Sequence, residues 1–389
     1  MSRASFVLLF SSALTFQCSP YPNEARSSAS ASGASASSAS ASNTRAAVTP
    51  VTFPVEEWRS TDPASLGWVP SKIDEVKRFA ATLPPASAMV IDRGYVIAQW
   101  GDPARRVKVS SIRKSLLSAL IGIHVAEGAI NLDQTLEELG VDDSPPLTTT
   151  EKHATVKMLL QSRSGVYHNY VAGTPKMLDG RPVRGSHEPG SFWYYNNWDF
   201  NALGTIFEQT THTKIVSDFV RRIATPIGMQ DFREQDMYYL ANSPNEPQQS
   251  NHRAYHFRLT VRDMARFGYL FLRKGRWRDT SVVPEEWVAA SVRPYSETGH
   301  GGGYGYLWWV DGLGVPAKSY SAQGALGKNI IVFPERGIVV AYQNHTELPD
   351  DAQLKPKSEI AALPTISDDQ LAHLLTLILE AQGRGLETH

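Results

Sequence analysis

The chain of 389 residues contains one cysteine, Cys18. That excludes an intramolecular disulfide, a cysteine-ligated metal and a cysteine nucleophile from the part that folds. Net charge is also missing: 38 Lys and Arg against 39 Asp and Glu leave a formal −1. A chain so balanced carries no basic footprint for nucleic acid or an anionic membrane surface, so polyanion binding drops out as a function class. A metal pattern is lacking as well. His252 and His256 stand at i, i+4, but no carboxylate follows at zinc spacing, and no metal is expected. The stretch "GHGGGYG" (299–305) does not complete G-x-G-x-x-G and no helix follows it, so it reads as a loop and no cofactor is expected.

The apolar stretch at the start, "MSRASFVLLFSSALTFQC" (1–18), is centred on Phe6 to Phe16 and preceded by one Arg. It falls short of the roughly 20 residues that span a bilayer and reads as an export signal, which puts the expected location in the periplasm or at the cell surface. Residues 19–50 include "SSASASGASASSASAS", too poor in large apolar groups to fold, and read as a flexible linker. A cysteine between signal and linker resembles that of a bacterial lipoprotein, although Thr15-Phe16-Gln17 depart from the usual residues before it. A membrane tether through lipid on Cys18 and simple secretion both stay open.

The whole chain is 42% hydrophobic, enough for a sizeable core in the folded part, 51–389. "PSKIDEVKRFAATL" (70–83) carries Ile73, Val76, Phe79 and Leu83 on one side of a helix, and "SAMVIDRGYVIAQWG" reads as a hairpin turning at Asp92-Arg93-Gly94. Helical signals and turn clusters fill the middle. Near the end, "YGYLWWV", "KSYSAQG", "KNIIVFP" and "GIVVAYQ" suit an antiparallel meander, and "DDQLAHLLTLILEAQ" an amphipathic helix. An upstream hairpin and a downstream meander must share one sheet if neither is to leave a raw edge. The expected fold class is therefore α/β (α+β): an antiparallel sheet flanked by helices, an α/β lobe of 51–135 and 291–389 with a helical lobe of 136–290 inserted.

"VSSIRKSLLSALIG" (109–122) opens a helix running to about Glu127 and stopped by Gly128. Ser110 or Ser111 could simply cap it, and a chain this long holds on the order of one S-x-x-K by chance. The spacing also has a chemical use. Ser111 and Lys114 share a helix face, so the lysine can reach the hydroxyl. Burial would depress its pKa and leave a neutral amine able to take the serine proton. The helix N-terminus adds backbone N–H groups where an oxyanion would form. A tyrosine held near cations, its phenolate favoured by them, could complete the proton shuttle.

Downstream, "EPGSFWYYNNWDFNALGTIFEQ" (188–209) places Tyr195-Asn196-Asn197 five residues beyond Pro189-Gly190, ahead of "LG" and an apolar helix. This resembles the second motif of the serine β-lactamase-like hydrolases, the class C β-lactamase, D,D-peptidase and esterase group. Two other registers, Tyr194-Tyr195-Asn196 and Tyr167-His168-Asn169, have less suitable flanks. The resemblance runs from about Val55 to the end and includes the hairpin, Ser111-Ile112-Arg113-Lys114, "LLQSRSG" and "AQGALGKNIIVFPERGIVVAYQN". Within the group the chain is most similar to the carboxylesterase and 6-aminohexanoate-dimer hydrolase branch. The resemblance implies a β-lactamase/transpeptidase-like fold, with Ser111 as nucleophile, Lys114 and Tyr195 managing protons, and Asn197 bonding substrate or Lys114. It also places Gly324 and Ala325 on the strand edge that completes the oxyanion hole. The third motif departs from the pattern: Ala322-Gln323-Gly324 stands where relatives carry Lys-Thr-Gly or His-x-Gly, so the cation that would hold a substrate carboxylate is missing. The expectation is a hydrolase of small esters first, linear amides second, with β-lactams turned over weakly or not at all. D,D-peptidase or β-lactamase action, or a non-catalytic sensor of the penicillin-binding type, is the alternative.

Trp193, Tyr194, Trp198, Trp308 and Trp309 are candidates for pocket lining or for core. His187, Asp199 and His345 lie near the motifs and are expected to satisfy local partners. Lys328, beyond the "ALG" turn, reads as solvated; it and Arg113 are the cations that could stand in for the missing one.

Overall fold

The computed structural model describes residues 51–172, 178–240, 250–299, 301–346 and 364–383. The expected export signal, the linker and Cys18 lie outside the described residues. No helix among the described residues is long and apolar enough to cross a membrane.

The centre is a nine-stranded sheet. Its strands are β1 (Arg59–Ser60), β2 (Ala86–Asp92), β3 (Tyr95–Trp100), β4 (Ser296–Glu297), β5 (Gly302–Tyr304), β6 (Trp309–Asp311), β7 (Tyr320–Gly324), β8 (Lys328–Phe333) and β9 (Ile338–Asn344). In space they run β1-β3-β2-β9-β8-β7-β6-β5-β4. All neighbours are antiparallel except β1 and β3. The upstream hairpin does join the downstream meander: β2 pairs with β9, Val90 opposite Val340. The β2–β3 turn needs positive φ at both Arg93 (50°) and Gly94 (86°). A Cβ on Gly94 would stand 2.0 Å from the Thr52 carbonyl oxygen, so only glycine fits.

Five helices frame the sheet and the site: α1 (Pro70–Ala80), α2 (Ile112–Ala126), α3 (Asn197–Thr211), α4 (Val261–Leu272) and α5 (Asp368–Ala381). On one face of the sheet, Ile73 and Val76 of α1 and Leu374 and Ile378 of α5 cover Val90, Ile331 and Val340. On the other, Leu116 and Leu120 of α2 and Met264 and Phe267 of α4 pack with Ile91, Ile330, Val332 and Val339. Alternation along each strand feeds the two cores, so the sheet is apolar on both sides.

Two boundaries differ from the sequence reading. Helix α4 falls within 136–290, yet it lies on the sheet: a Cβ on its Gly268 would come within 2.6 Å of Val339 and 2.7 Å of Ile330 side-chain carbons. The inserted lobe is not wholly helical either, since Met237–Leu240 and Ala254–Leu259 pair there and extend to Val107–Lys108. In 299–305, read as a loop, Gly302–Tyr304 is strand β5, paired on one side with β4 and on the other with β6.

Helix α2 is buried on all sides from Ile112 to His124, which explains its lack of a polar stripe. Its interior serines are satisfied: Ser115 Oγ donates to the Leu307 carbonyl (2.7 Å) and Ser118 Oγ to that of Tyr306 (2.8 Å). At Gly122 a Cβ would fall 2.2 Å from the Trp287 ring. Gly122→Ala is therefore expected to cost about 1–3 kcal/mol of stability, read as a lower urea midpoint with an unchanged slope. An unaltered midpoint would mean that the Trp287 helix gives way without cost.

Candidate active site

Ser111 occupies the N-cap position of α2, but its hydroxyl accepts no capping hydrogen bond. The capping explanation for this serine therefore fails, and the oxygen is left for other work. Ser110 just before it takes φ 52°, a left-handed conformation that costs a non-glycine residue free energy. The surrounding structure imposes it: Val109 N donates to Phe257 O at 2.9 Å, and Val107 pairs with Leu259.

Lys114 Nζ lies 2.7 Å from Ser111 Oγ and 2.7 Å from Tyr195 OH. Lys114 is buried, and burial, aided by the Arg113 charge, holds its pKa well below the usual lysine range. The Tyr195 and Phe200 rings lie 4.6 and 4.7 Å from Nζ and favour the charged form, opposing the desolvation. Burial pushes the Tyr195 phenol up to about 12, although its hydrogen bond with Ser111 and the Arg113 charge pull it down. That corrects the expectation of a favoured phenolate. A lysine pushed down and a phenol pushed up make the amine, rather than a phenolate, the candidate base between the two hydroxyls. Arg113 is no stand-in cation for the cleft: it is buried, donates to Asn201 Oδ1 (2.9 Å) and lies 4.2 Å over the Tyr255 ring.

The loop carrying Tyr195 is pinned by residues from "QSRSG". Ser162 Oγ donates to the Tyr194 carbonyl (2.6 Å) and accepts from Asn196 N (3.0 Å), while Ser164 Oγ bonds Asp199 Oδ1 at 2.5 Å. Asn196 bonds Val166 O (2.7 Å) and Asp199 Oδ1 (2.8 Å) and caps α3 through Trp198 N. The sequence reading assigns these serines no role; S-x-S-G some 30 residues ahead of a Tyr-Asn helix start is the signal for it. Asn197 is buried beside the Tyr170 hydroxyl, and among the described residues it makes no hydrogen bond to Lys114. Of the alternative registers, Tyr167 packs against His187 and Tyr194, His168 lies 3.6 Å from Glu151, and Asn169 accepts from Arg181. Among the described residues the Lys114 amine bonds Ser111 and Tyr195.

Burial holds the Asp199 carboxyl well above its usual range, with the Ser164 and Asn196 bonds pulling the other way. Surroundings that favour the uncharged carboxyl also suit a neutral amide. Asp199→Asn is expected to keep turnover within about fivefold, whereas Asp199→Leu, which frees Asn196 and Ser164, should lower kcat by roughly tenfold to a hundredfold with KM little changed. Equal losses in both variants would show that the charge, not the bonding, matters.

Strand β7 brings the third motif beside the serine. A Cβ on Gly324 would fall 2.2 Å from the Val109 carbonyl oxygen, so glycine alone allows this approach. Ala325 begins the exposed turn after it. Among the described residues neither the Ser111 nor the Ala325 backbone N–H has a protein hydrogen-bond partner. Ala322 is buried on the α2 side of the sheet with no cation of its own. Lys328 is not solvated as expected: it is 1% exposed and its Nζ donates to Thr346 Oγ1, because β8 is covered on both faces.

The five aromatic candidates divide. Trp309 stacks on Tyr195 (5.3 Å, 25°), and Trp193 packs against Trp309 and Tyr304; both are half-buried at the site. Trp198 and Trp308 are core: Trp198 Nε1 donates to Asp143, and Trp308 packs on Phe267 and Phe271. Tyr194 is half-buried against Tyr167. His187 stacks on Phe192, and His345 bonds Ser87 Oγ at 2.8 Å. His252 bonds Thr205, and burial together with the charges of Arg113, Lys108 and Lys114 drives His256 down to about 2.

A family model described as Beta-lactamase matches residues 74–363. An uncharacterized protein of Alkalihalophilus pseudofirmus, BpOF4_21049, is 22% identical over 292 residues, 65% of this chain and 82% of the relative. Among solved structures, a putative 6-aminohexanoate-dimer hydrolase from Bacillus anthracis superposes with a TM-score of 0.56 at 17% identity, covering 85% of this chain and 86% of that one. A class C β-lactamase in complex with cefoxitin gives 0.57 at 14% identity, covering 82% and 100%. At such identities the superpositions speak for the fold, and the fold is β-lactamase/transpeptidase-like. With the family model spanning most of the domain that carries Ser111, Lys114 and Tyr195, the chain belongs to the Beta-lactamase family.

Proposed function

We propose that this chain is a serine hydrolase working through an acyl-enzyme, with esters and small linear amides as substrates ahead of β-lactams. The observation that carries the reading is the buried Lys114 amine, 2.7 Å from each of the Ser111 and Tyr195 hydroxyls. Ser111 Oγ attacks the substrate carbonyl carbon while its proton passes to the neutral amine. The tetrahedral oxyanion is held by the Ser111 and Ala325 N–H groups. The proton then moves through Lys114 and the protonated Tyr195 to the leaving oxygen or nitrogen, and the C–O or C–N bond breaks. Water repeats the sequence on the acyl-enzyme, and its proton returns to Ser111. The export expected from the sequence makes the relevant substrates those met outside the cytoplasm, peptidoglycan-derived peptides among them.

The experiment is labelling with a fluorophosphonate probe alongside turnover of p-nitrophenyl butyrate. Labelling of the parent and not of Ser111→Ala, with many turnovers per molecule, is the expected result. Equal labelling of both would remove Ser111 from the role. One equivalent of product followed by silence would identify a binding protein that acylates without turning over.

A further inference from the structure

Beyond the oxyanion strand lies a cleft of about 610 Å³, between the end of β7, Trp309 and Asp311 of β6, and the first turn of α5. Gly324 and Ala325 line it, so it adjoins the end of the strand that approaches Val109, two residues before Ser111. Trp309 is shared: one of the cleft's walls, it also stacks on Tyr195.

The lining is acidic. Asp311, Asp368 and Asp369 face the cleft, no Lys or Arg does among the described residues, and none of the three carboxylates is ion-paired there. Asp368 and Asp369 have a local reason to exist, since carboxylates suit the first turn of a helix. Asp311 does not share it: it belongs to a different element and is oriented by the Ser319 N–H at 2.8 Å. A second observation is independent of charge. Asn329 lines the same cleft while only 6% exposed, and its side-chain amide has no hydrogen-bond partner among the described residues. It stands opposite Gln323 in the β7–β8 register, and Gln323 donates to Ser321 Oγ at 3.0 Å. The Asn329 amide is open to the cleft, since its atoms are not among the buried ones left without a partner, and a donor entering the cleft supplies the partner that no described residue does.

We propose that this cleft is a substrate subsite for an ammonium group: the positively charged end of an ester or amide lies between Asp311, Asp368 and Asp369 against the Trp309 ring, with the Asn329 carbonyl oxygen as an acceptor at the floor. The assignment of the cleft to substrate rests on the hydrolase reading. Carboxylates attract the cation, an indole face adds to that attraction, and a carboxylate-bearing end is repelled.

The experiment compares kcat/KM for matched esters. In the acyl series, p-nitrophenyl esters end in an ammonium, a methyl or a carboxylate at equal chain length. In the alcohol series, butyrylcholine is set against 3,3-dimethylbutyl butyrate. A preference of roughly tenfold for the cation in one of the series, shrinking at high salt, is expected. Asp368→Asn with Asp369→Asn should bring the preference to within about twofold while the neutral ester is turned over as before. Neutral esters hydrolysed with no cation preference in either series would overturn the subsite and leave the hydrolase reading intact. If no ester is turned over, NMR titration of Ser111→Ala protein with n-hexylammonium and with 1-hexanol decides: tighter cation binding, lost in the double variant, supports the subsite without the hydrolase, and equal binding overturns both.

Discussion

Lys114→Met is expected to lower ester kcat by about 10⁴- to 10⁶-fold, close to the loss in Ser111→Ala, with the double variant no worse than either. In the proposed mechanism nucleophile and base act as one unit: without the amine the serine hydroxyl keeps its proton, and without the hydroxyl the amine has nothing to activate. The pH profile separates this from a merely structural lysine. Because burial holds the Lys114 pKa well below the usual range, kcat/KM in the parent should fall as pH drops through that depressed value and stay flat above it. The Tyr195 phenol, pushed up to about 12, places the alkaline limb beyond the working range. Lys114→Arg keeps a cation and a donor but cannot shed a proton, and should be as inactive as Lys114→Met. Stability should move the other way. A lysine whose folded pKa lies below its unfolded 10.5 destabilises the folded state at neutral pH, and the penalty fades as pH rises to the unfolded value. Lys114→Met is thus expected to raise the thermal midpoint near neutrality, with a gain that shrinks towards pH 10.5. A Lys114→Met protein that keeps a tenth of its turnover would leave the proton to some other group.

How far a feature is legible in the sequence depends on the range of the interaction that decides it. Ser111 and Lys114 are three residues apart on one helix, so local geometry fixes their meeting and the sequence shows it. The junction of hairpin and meander is legible too, since exposed edges are costly in any fold. Tyr195 can be placed only through its flanks, because the Ser162, Ser164 and Asn196 bonds that aim it join segments some 30 residues apart. Its ionisation escapes the sequence for the same reason: positive neighbours are visible there, but the packing of its ring against Phe200, Tyr304 and Trp309 is not. Lys328 reads as solvated from the turn before it, whereas the apolar run "NIIVF" after it belongs to a central strand covered on both faces. Helix α4 shows an apolar stripe either way; only Gly268 against Ile330 and Val339 reveals that the stripe faces the sheet.

In the proposed function, position 322 sets the expected order of the bonds cut. β-Lactams and D-Ala-D-Ala peptides carry a carboxylate beside the scissile amide, and a cation on β7 would hold that group while the carbonyl sits over Ser111. Ala322 supplies none, and both nearby cations are engaged elsewhere: Lys328 with Thr346, Arg113 with Asn201 and the Tyr255 ring. A charge-assisted hydrogen bond contributes about 1.5–3 kcal/mol, roughly tenfold to a hundredfold in binding. Esters of uncharged acids need no such contact and have the better leaving group. Cephalosporin kcat/KM is therefore expected to lie below that for p-nitrophenyl butyrate by at least about tenfold. Ala322→Lys should raise the cephalosporin-to-ester ratio by roughly tenfold to a hundredfold. Because Ala322 is fully buried, any larger side chain brings overpacking, so Ala322→Met serves as the volume control and should leave the ratio unchanged. A parent that hydrolyses cephalosporin as well as the ester would overturn the ordering, and loss of that activity in Lys328→Met would then identify Lys328 as the cation that reaches the substrate.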